Sequence, residues 1–220
     1  MILPRREFVG AAAAALVGLA GCLGDGGDGD GSGDEIDLEA GDGESSFAPT
    51  LGDSDADVTV TVFSDYACPH CQRFEESVFP EIVSNYVDPG DVAYQHRDFV
   101  VPVHETWSWA IAGAGRSVHE QADDEAFFEF FTAIFDRSDD YSDDAIESVA
   151  SDLEADVDAE QVRTDAEDGT YREEIEASRE AAADAGVEGT PTVVVDGQPV
   201  ELQSSEDYES VEEAIESALE

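Results

Sequence analysis

A short apolar strand that leads directly into a Cys-Pro-His-Cys motif limits the folds open to this chain of 220 residues. Residues 58–63, VTVTVF, are almost all β-branched and are apolar at alternate positions, a pattern that predicts a buried strand. Cys68 and Cys71 then open a helical pattern that ends at residues 88–90, and residues 92–97 predict a second strand. A strand, a helix and a strand at this spacing predict a βαβ unit with parallel strand pairing.

Helical patterns fill most of the chain after the second predicted strand, and a β-hairpin follows them. Their apolar residues recur at helical spacing, and we interpret the aromatic stripes as core rather than as a cofactor site. These stripes lie over residues 107–118, 127–135, 145–153 and 171–185. Residues 192–195 and 198–202, joined by Asp196-Gly197, predict a hairpin, and residues 211–218 predict a closing helix. The chain is therefore predicted to be an α/β protein.

The charge of the chain excludes some partners and favours one kind of environment. It has 55 Asp and Glu against 9 Lys and Arg, a net charge of −46, and every one of the cations is an arginine. Such a field repels phosphate backbones and anionic headgroups, which excludes nucleic-acid binding and charge-driven membrane binding. In molar salt the Debye length falls to about 3 Å and this repulsion is screened, so the composition resembles that of halophilic archaeal proteins. The alternative is an acidic surface that binds calcium or a partner.

Two arginines and a short apolar run at the N-terminus resemble a twin-arginine export signal. Arg5 and Arg6 precede the apolar residues 11–20. This run is shorter than the roughly 20 apolar residues that span a bilayer, so residues 1–21 are predicted to be a signal peptide. The sequence LAGC, which ends at Cys22, resembles a lipoprotein cleavage box in which this cysteine becomes lipidated. The alternative is an uncleaved N-terminal helix with an incidental cysteine.

The segment that follows, residues 22–46, is predicted to be a flexible tether. It is rich in glycine, Asp and Glu, so it has almost nothing to bury and repels itself. The folded domain is predicted to span residues 47–220. A lipid on Cys22 would hold this domain by a membrane anchor at the outer face of the cytoplasmic membrane, where we expect it to be a monomer.

Cys68 and Cys71 carry the chemistry that the sequence indicates. A lone CxxC motif is compatible with zinc binding, a structural disulfide or redox chemistry. Here Cys68 falls where a strand gives way to a helix, and a helix N-terminus stabilises a thiolate. His70 is predicted to add a proton donor or a cation beside the same sulfur. Cys71 falls in the first helical turn, within disulfide distance and more shielded. This placement strengthens the redox interpretation, while the other two stay open.

The order of these features resembles that of DsbA-like disulfide oxidoreductases, a family with the thioredoxin fold. The blocks FSDYACPHCQRF, HRDFV and GVEGTPTVVVDG are similar to those of the family, and the resemblance covers roughly residues 50–220. Between Cys68 and Pro191 the chain is far longer than plain thioredoxin. The resemblance therefore implies a thioredoxin-like α/β fold with a helical insertion at about residues 100–186.

The resemblance also implies a binding site for extended substrates beside the two cysteines. In this family the bond between Thr190 and Pro191 is expected to be cis and to face the disulfide. A cis bond would expose the backbone at Thr190, which could then pair with a substrate strand. The alternative is an ordinary trans proline at the start of a strand.

The implied activity is thiol–disulfide exchange with exported protein thiols, through a redox-active disulfide between Cys68 and Cys71. The Pro-His dipeptide between the cysteines is that of strongly oxidising relatives, so the expected net reaction is disulfide formation. The implied electron acceptor is a quinone-linked membrane oxidase of the DsbB type. One alternative is a disulfide reductase or isomerase on the same scaffold. Another is a non-catalytic, lipid-anchored metallochaperone or binding protein that uses the cysteines as soft ligands.

The number of cysteines fits redox chemistry better than zinc binding. If Cys22 is lipidated, Cys68 and Cys71 are the cysteines that remain. A zinc site would need two more ligands, and few histidines are available. The histidines outside the motif are His96, His104 and His119. We therefore expect neither a metal nor a cofactor.

Val62 is a departure from the family pattern. Relatives commonly carry a buried carboxylate at this place, six residues before the first cysteine, and it helps to move the proton of the second cysteine. Asp65 and water are the available substitutes in this chain, and the sequence favours neither.

Overall fold

The computed structural model describes Ile36, residues 47–101 and residues 106–220. Within these residues, no helix is long and apolar enough to cross a bilayer.

Several residues singled out in the sequence lie outside this described part of the chain. They are Arg5, Arg6, Cys22 and His104, together with the rest of the predicted signal peptide and all but one residue of the predicted tether. The remaining residue is Ile36, whose backbone N–H donates a hydrogen bond to the Gly197 carbonyl oxygen at 2.9 Å. The Ile36 side chain is buried in an apolar cluster of the folded domain. At this residue, the predicted tether packs against the domain.

A five-stranded mixed sheet with the strand order β1-β3-β2-β4-β5 forms the centre of the fold. The strands are β1 (Thr50–Leu51), β2 (Val58–Ser64), β3 (Val92–Asp98), β4 (Thr192–Val195) and β5 (Gln198–Val200). β2 and β3 are parallel, with Val58 opposite Val92, and the other neighbouring pairs are antiparallel. The predicted βαβ unit and the predicted hairpin are therefore confirmed.

The helix that follows β2 is broken into pieces. Helix α1 (Pro69–Ser77) is followed by the short α2 (Phe79–Ile82) and a π-helical turn at Val83–Val87. Pro80 accounts for the break, because it has no N–H to donate to the preceding turn. The sequence pattern predicts one continuous helix here, and in that respect the prediction is wrong.

Five α-helices lie between β3 and β4 in the described part of the chain, and one more follows β5. They are α3 (Trp107–Gln121), α4 (Asp124–Phe135), α5 (Asp143–Asp152), α6 (Ala159–Asp168), α7 (Arg172–Asp184) and α8 (Tyr208–Ala218). All except α6 follow apolar stripes identified in the sequence. Helix α6 is not predicted from the sequence, because this helix buries only Val162, Asp165 and Ala166 and so has no apolar stripe.

Phenylalanine rings of α4 form the centre of the larger core. Phe127, Phe130 and Phe131 are fully buried, and the ring of Phe131 packs edge-on against Tyr66, with centroids 5.7 Å apart. This core lies between one face of the sheet, α1, α4 and α8. Because side chains alternate along a strand, Phe63 and its neighbours face the opposite way and form a smaller cluster with α7 and Ile36.

A buried polar network joins β3 to the helices. The Asp98 carboxylate accepts hydrogen bonds from Arg116 Nε at 2.9 Å and from the His96 ring at 3.2 Å. Arg116 also donates to the Ser178 hydroxyl of α7 at 3.1 Å. Burial alone would raise the pKa of Asp98, but the Arg116 charge and the His96 hydrogen bond hold it below its ordinary value. His96 is therefore a partnered residue of the interior.

Candidate active site

Cys68 occupies the N-cap of α1. Its backbone is extended, with φ −82° and ψ 120°, and Pro69 takes the first helical position, which suits the fixed φ of proline. The N–H of Gln72 donates to the Cys68 carbonyl oxygen at 3.1 Å, so the helix begins directly after the cysteine. The Cys68 sulfur therefore lies beside the N–H groups of the first turn, which have no partner within the helix.

Hydrogen bonding lowers the pKa of the Cys68 thiol to about 5. The bond from the Cys71 thiol is the largest cause and outweighs the opposing effect of burial. The backbone N–H groups of Cys71 and His70, together with Thr190, lower the pKa further. Cys68 is therefore a thiolate at neutral pH, which makes it both a nucleophile and a good leaving group in disulfide exchange.

Cys71 is the shielded partner of Cys68. Its side chain is fully buried, and its Sγ accepts a hydrogen bond from the backbone N–H of Asp65 at 3.5 Å. Burial, followed by the hydrogen bond and the charge of Cys68, raises the pKa of the Cys71 thiol well above its ordinary value. The two sulfurs thus differ strongly in acidity, and Cys71 carries a proton while Cys68 does not.

The loop before β4 brings Thr190 and Pro191 to the cysteines. The Cys68 Sγ lies 3.7 Å from the Thr190 carbonyl oxygen, although 122 residues separate them in sequence. The Thr190–Pro191 peptide bond is cis, as the family resemblance implies. Both residues are half-buried, so this loop is partly exposed beside Cys68.

The His70 side chain contacts an arginine rather than a cysteine sulfur. Its ring nitrogen Nδ1 accepts a hydrogen bond from Arg73 Nη1 at 3.2 Å, one helical turn along α1. Both side chains are exposed. His70 does act on Cys68, but through its backbone N–H. Arg73 was not identified from the sequence, although its i, i+3 spacing from His70 on a helix is a usable signal.

Two buried carboxyl groups lie near the motif, although Val62 holds an apolar side chain where relatives carry an acid. Asp65 is fully buried beside Cys68. Glu75, in α1, is 8% exposed, and neither of its carboxyl oxygens has a hydrogen-bond partner in the described part of the chain. Burial raises the pKa of Glu75 well above its ordinary value. Sequence reasoning missed Glu75 because acids on a helix are usually solvated.

The two histidines outside the motif that the structure describes, His96 and His119, each lie against a carboxylate. Among the described residues, no three His, Cys, Asp or Glu side chains are grouped so that they could hold an ion. The His119 ring lies 2.7 Å from Asp124 on the neighbouring helix, and His96 is held by Asp98.

Titration of the Cys68 thiol is expected to give a midpoint near 5 in molar KCl. Lower salt is expected to raise this midpoint, because the net charge of −46 opposes a thiolate and is then less screened. Thiolate absorbance and the rate of iodoacetamide alkylation would measure it. Cys71→Ala serves as a comparison, since it removes the largest cause of the low pKa and should raise the midpoint. A midpoint near the ordinary value of 9.0, or one that salt does not move while the fold is intact, would contradict this.

Glu75→Gln is expected to stabilise the protein increasingly as the pH rises above about 4.5, the ordinary pKa of a glutamate. A carboxyl group whose pKa is raised by folding contributes stability below its unfolded pKa and loses it as the pH rises. The wild-type free energy of unfolding should therefore fall with pH by up to about 1.4 kcal/mol per unit relative to the variant. Denaturant titrations between pH 5 and pH 8 would measure the difference. The exposed neighbour Glu76→Gln is the control, and identical pH profiles for all three proteins would refute the prediction.

Comparison with known proteins places the chain among thiol–disulfide oxidoreductases. A family profile described as thioredoxin matches residues 45–217. Disulfide bond formation protein D of Bacillus subtilis is 27% identical over 175 residues, which cover 78% of this chain and 77% of that protein. A putative protein-disulfide oxidoreductase of Rickettsia bellii is 34% identical over 50 residues, which cover 23% of this chain and 19% of that protein.

Solved structures agree with this assignment. The crystal structure of oxidised BdbD from Bacillus subtilis matches with a TM-score of 0.69 and 27% identity, over 78% of this chain and 92% of that one. The crystal structure of Chlamydia trachomatis DsbA matches with a TM-score of 0.63 and 23% identity, over 77% of this chain and 90% of that one. The second likeness supports the fold alone. The thioredoxin-like α/β fold with its helical insertion is therefore confirmed.

Proposed function

Because the chain belongs to the thioredoxin family and is a DsbA-like protein disulfide oxidoreductase, we propose that it catalyses disulfide formation in exported proteins through Cys68 and Cys71. One observation carries the proposal. The Cys68 sulfur, with its pKa lowered to about 5, lies 3.7 Å from the Thr190 carbonyl oxygen, next to a fully buried Cys71. This arrangement pairs one reactive sulfur with one protected sulfur beside a partly exposed stretch of backbone.

The reaction begins from the oxidised pair. A substrate thiolate attacks the Cys68 sulfur, the Cys68–Cys71 bond breaks, and Cys71 leaves with the electron pair and takes up a proton. A second substrate thiolate then attacks the substrate sulfur of the mixed disulfide and expels the Cys68 thiolate. The substrate has lost two electrons and gained a disulfide, and the enzyme pair is reduced. A low Cys68 pKa favours the second step, because a more acidic thiol is a better leaving group.

The difference in acidity between Cys68 and Cys71 also favours electron flow from the substrate to the enzyme. Stabilising the Cys68 thiolate stabilises the reduced pair, which makes the disulfide a stronger oxidant. The reduced pair must then pass its two electrons to an acceptor. A quinone-linked membrane oxidase of the DsbB type suits this role, and a lipid on Cys22 would keep the domain near such a partner at the outer face of the membrane.

Substrate binding rests on the backbone at Thr190 and Pro191. An extended peptide that pairs with this backbone would place its own sulfur beside Cys68. Main-chain pairing tolerates many sequences, so it suits an enzyme that acts on a range of exported proteins. His70 and Arg73 are exposed at the start of α1, where the Arg73 guanidinium contacts the His70 ring.

The test is the equilibrium between the Cys68/Cys71 pair and glutathione in molar KCl, combined with oxidation of a reduced two-cysteine peptide. We expect the pair to be more oxidising than thioredoxin and to oxidise the peptide stoichiometrically. A potential near that of thioredoxin, about −270 mV, would favour a reductase or isomerase. Tight copper(I) binding that is lost in Cys68→Ala, with no mixed disulfide trapped by Cys71→Ser, would favour a metallochaperone.

A further inference from the structure

Asp65, in the loop between β2 and α1, contacts both cysteines through its backbone. Its N–H donates to the Cys71 Sγ at 3.5 Å, and its carbonyl oxygen accepts the Cys68 N–H at 3.0 Å. The Asp65 side chain is fully buried, with none of its surface exposed. The Asp65 residue is therefore held against both cysteines, with its side chain in the interior.

The two oxygens of the Asp65 carboxyl group have different surroundings. Oδ1 accepts a hydrogen bond from the Ala67 N–H at 2.9 Å. Oδ2 is buried and has no hydrogen-bond partner that meets normal geometry among the described residues. A buried oxygen without a donor is costly when it carries charge, and a proton on it removes that cost. Asp65 thus has a free position for a proton.

The groups that face Asp65 come from α1, from α3, from the segment after β3 and from the loop before α5. They are Cys68, Cys71, Ser108, the Val101 backbone and Tyr141. The charge of Cys68 is the one that the redox reaction changes, because Cys68 is a thiolate in the reduced pair and neutral in the disulfide. A thiolate at Cys68 opposes ionisation of Asp65 and so favours its protonation.

The second buried acid near the motif lacks this coupling. Burial alone sets the raised pKa of Glu75, whereas Asp65 responds to Cys68 as well as to burial. Val62 supplies no carboxyl group from β2. Asp65 is therefore the described acid whose protonation depends on the redox state of the pair.

We propose that Asp65 holds a proton of the exchange reaction, taking it up when the Cys68–Cys71 disulfide is reduced and releasing it when the disulfide re-forms. The inference rests on the proposed exchange at Cys68 and Cys71.

The balance of the reaction shows where this proton comes from. A substrate dithiol gives up two electrons and two protons when it becomes a disulfide, and the Cys68–Cys71 bond breaks. The electrons reduce the pair to the Cys68 thiolate and the Cys71 thiol. One proton goes to the Cys71 sulfur, and the other converts the Asp65 carboxylate to the carboxylic acid instead of leaving for solvent. Reoxidation of the pair returns both protons.

The acidity of Asp65 places this exchange in an accessible pH range. Burial, with the nearby Cys68 charge adding to it, raises the pKa of Asp65 to about 6 in the reduced protein, against the lowering effect of hydrogen bonding from the Ala67 and Val101 backbone and from the Ser108 side chain. Loss of the thiolate charge in the disulfide should bring that pKa down. Between the two values, reduction takes up more than one proton. Well above pH 6, Asp65 is ionised in both states, and reduction takes up only the proton of Cys71.

The first experiment measures the equilibrium with glutathione from pH 5 to pH 8 for the wild type, Asp65→Asn and Glu75→Gln in molar KCl. Asn keeps an oxygen for the Ala67 N–H but carries no charge. At pH 8, we expect its reduced form to be favoured about tenfold more than in the wild type, the equivalent of one pKa unit. At pH 5, the difference should shrink to about twofold, because Asp65 is then mostly protonated in the reduced protein. Glu75→Gln should follow the wild type at every pH.

The second experiment counts the protons that the wild type takes up on reduction in weakly buffered solution, so it does not depend on a variant that folds. Near pH 6 the Cys68 thiol itself binds only about 0.1 proton, because its pKa is about 5, so we expect about 1.5 protons per disulfide there with Asp65 taking part and about one at pH 8. A count of one at both pH values, or an Asp65→Asn profile parallel to the wild type, would overturn the proposal. If the wild-type pair formed no disulfide with glutathione at any pH, the proposed exchange at Cys68 and Cys71 would itself have failed.

Discussion

Cys68→Ser is expected to lower the rate of disulfide exchange to that of the uncatalysed reaction. Serine cannot form a disulfide, and its hydroxyl does not ionise near neutral pH, so both steps at this position are lost. The assay is oxidation of a reduced two-cysteine peptide in molar KCl, followed by mass spectrometry. Circular dichroism would show whether the variant keeps the wild-type fold. Residual catalysis above background in a folded variant would remove Cys68 from the mechanism.

Cys71→Ser is the matched control, since it keeps the attacking sulfur and removes the resolving one. With glutathione disulfide, this variant is expected to accumulate a stable mixed disulfide at Cys68, because no second protein thiol can displace the adduct. Intact-mass measurement after acid quenching would detect one glutathione per chain. An adduct that turned over as fast as in the wild type would contradict the resolving role of Cys71.

Arg116→Met is expected to lower the free energy of unfolding by about 3–5 kcal/mol, because it leaves the buried Asp98 charge without its cation. Arg116 is 3% exposed, and its Nε donates to the Asp98 carboxylate at 2.9 Å. Methionine fills much of the space of the arginine stem, so the loss reports chiefly on the charge. Denaturant titration near neutral pH in molar KCl would measure it.

Arg163→Met provides the comparison at the surface. Arg163 pairs with Glu147 at 2.8 Å and with Glu167, and all three side chains are partly exposed. Solvent-exposed pairs contribute little, so this variant should unfold close to the wild type. If Arg116→Met and Arg163→Met lowered the free energy of unfolding equally, burial of the ion pair would not explain the effect.

The destabilisation caused by Arg116→Met should also decrease as the pH falls. Folding holds the pKa of Asp98 below its ordinary value of 3.8, so its contribution is present above that pH and is lost as the pH falls. In Arg116→Met this contribution is already gone. The difference in free energy of unfolding between the wild type and Arg116→Met should therefore become smaller as the pH falls. A difference that stayed constant with pH would argue against the charge pair as its cause.

The parts of the fold that were predictable from sequence are those in which local pattern and burial agree. β2 is almost all β-branched and places Val58, Val60 and Val62 at alternate positions on the face that packs against α1, α4 and α8. The hairpin was recognisable from Asp196-Gly197, where both residues adopt positive φ, the backbone conformation that such turns require. The active site was predictable because a single strand-to-helix junction carries Cys68 and Cys71.

The parts that were not predictable depend on contacts between distant residues. Helix α6 packs against α3 and α5 with a largely polar surface, so it has no apolar stripe to read. Arg116 is one of nine arginines in the sequence, and only the fold places it against Asp98. Asp65 and Glu75 are two acids among 55. Their burial near the motif is a property of the packed structure and leaves no mark on the local sequence.

The phenylalanine core around α4 also affects how the protein withstands chemical damage. Met1 is the only methionine in the sequence, so the core has no thioether that peroxide could convert to a polar sulfoxide. Within the described residues, the sulfur atoms are those of Cys68 and Cys71. An oxidant that enters this part of the protein therefore finds sulfur only at the reactive pair. Damage there costs turnover, while the aromatic packing that holds the helices to the sheet keeps its shape.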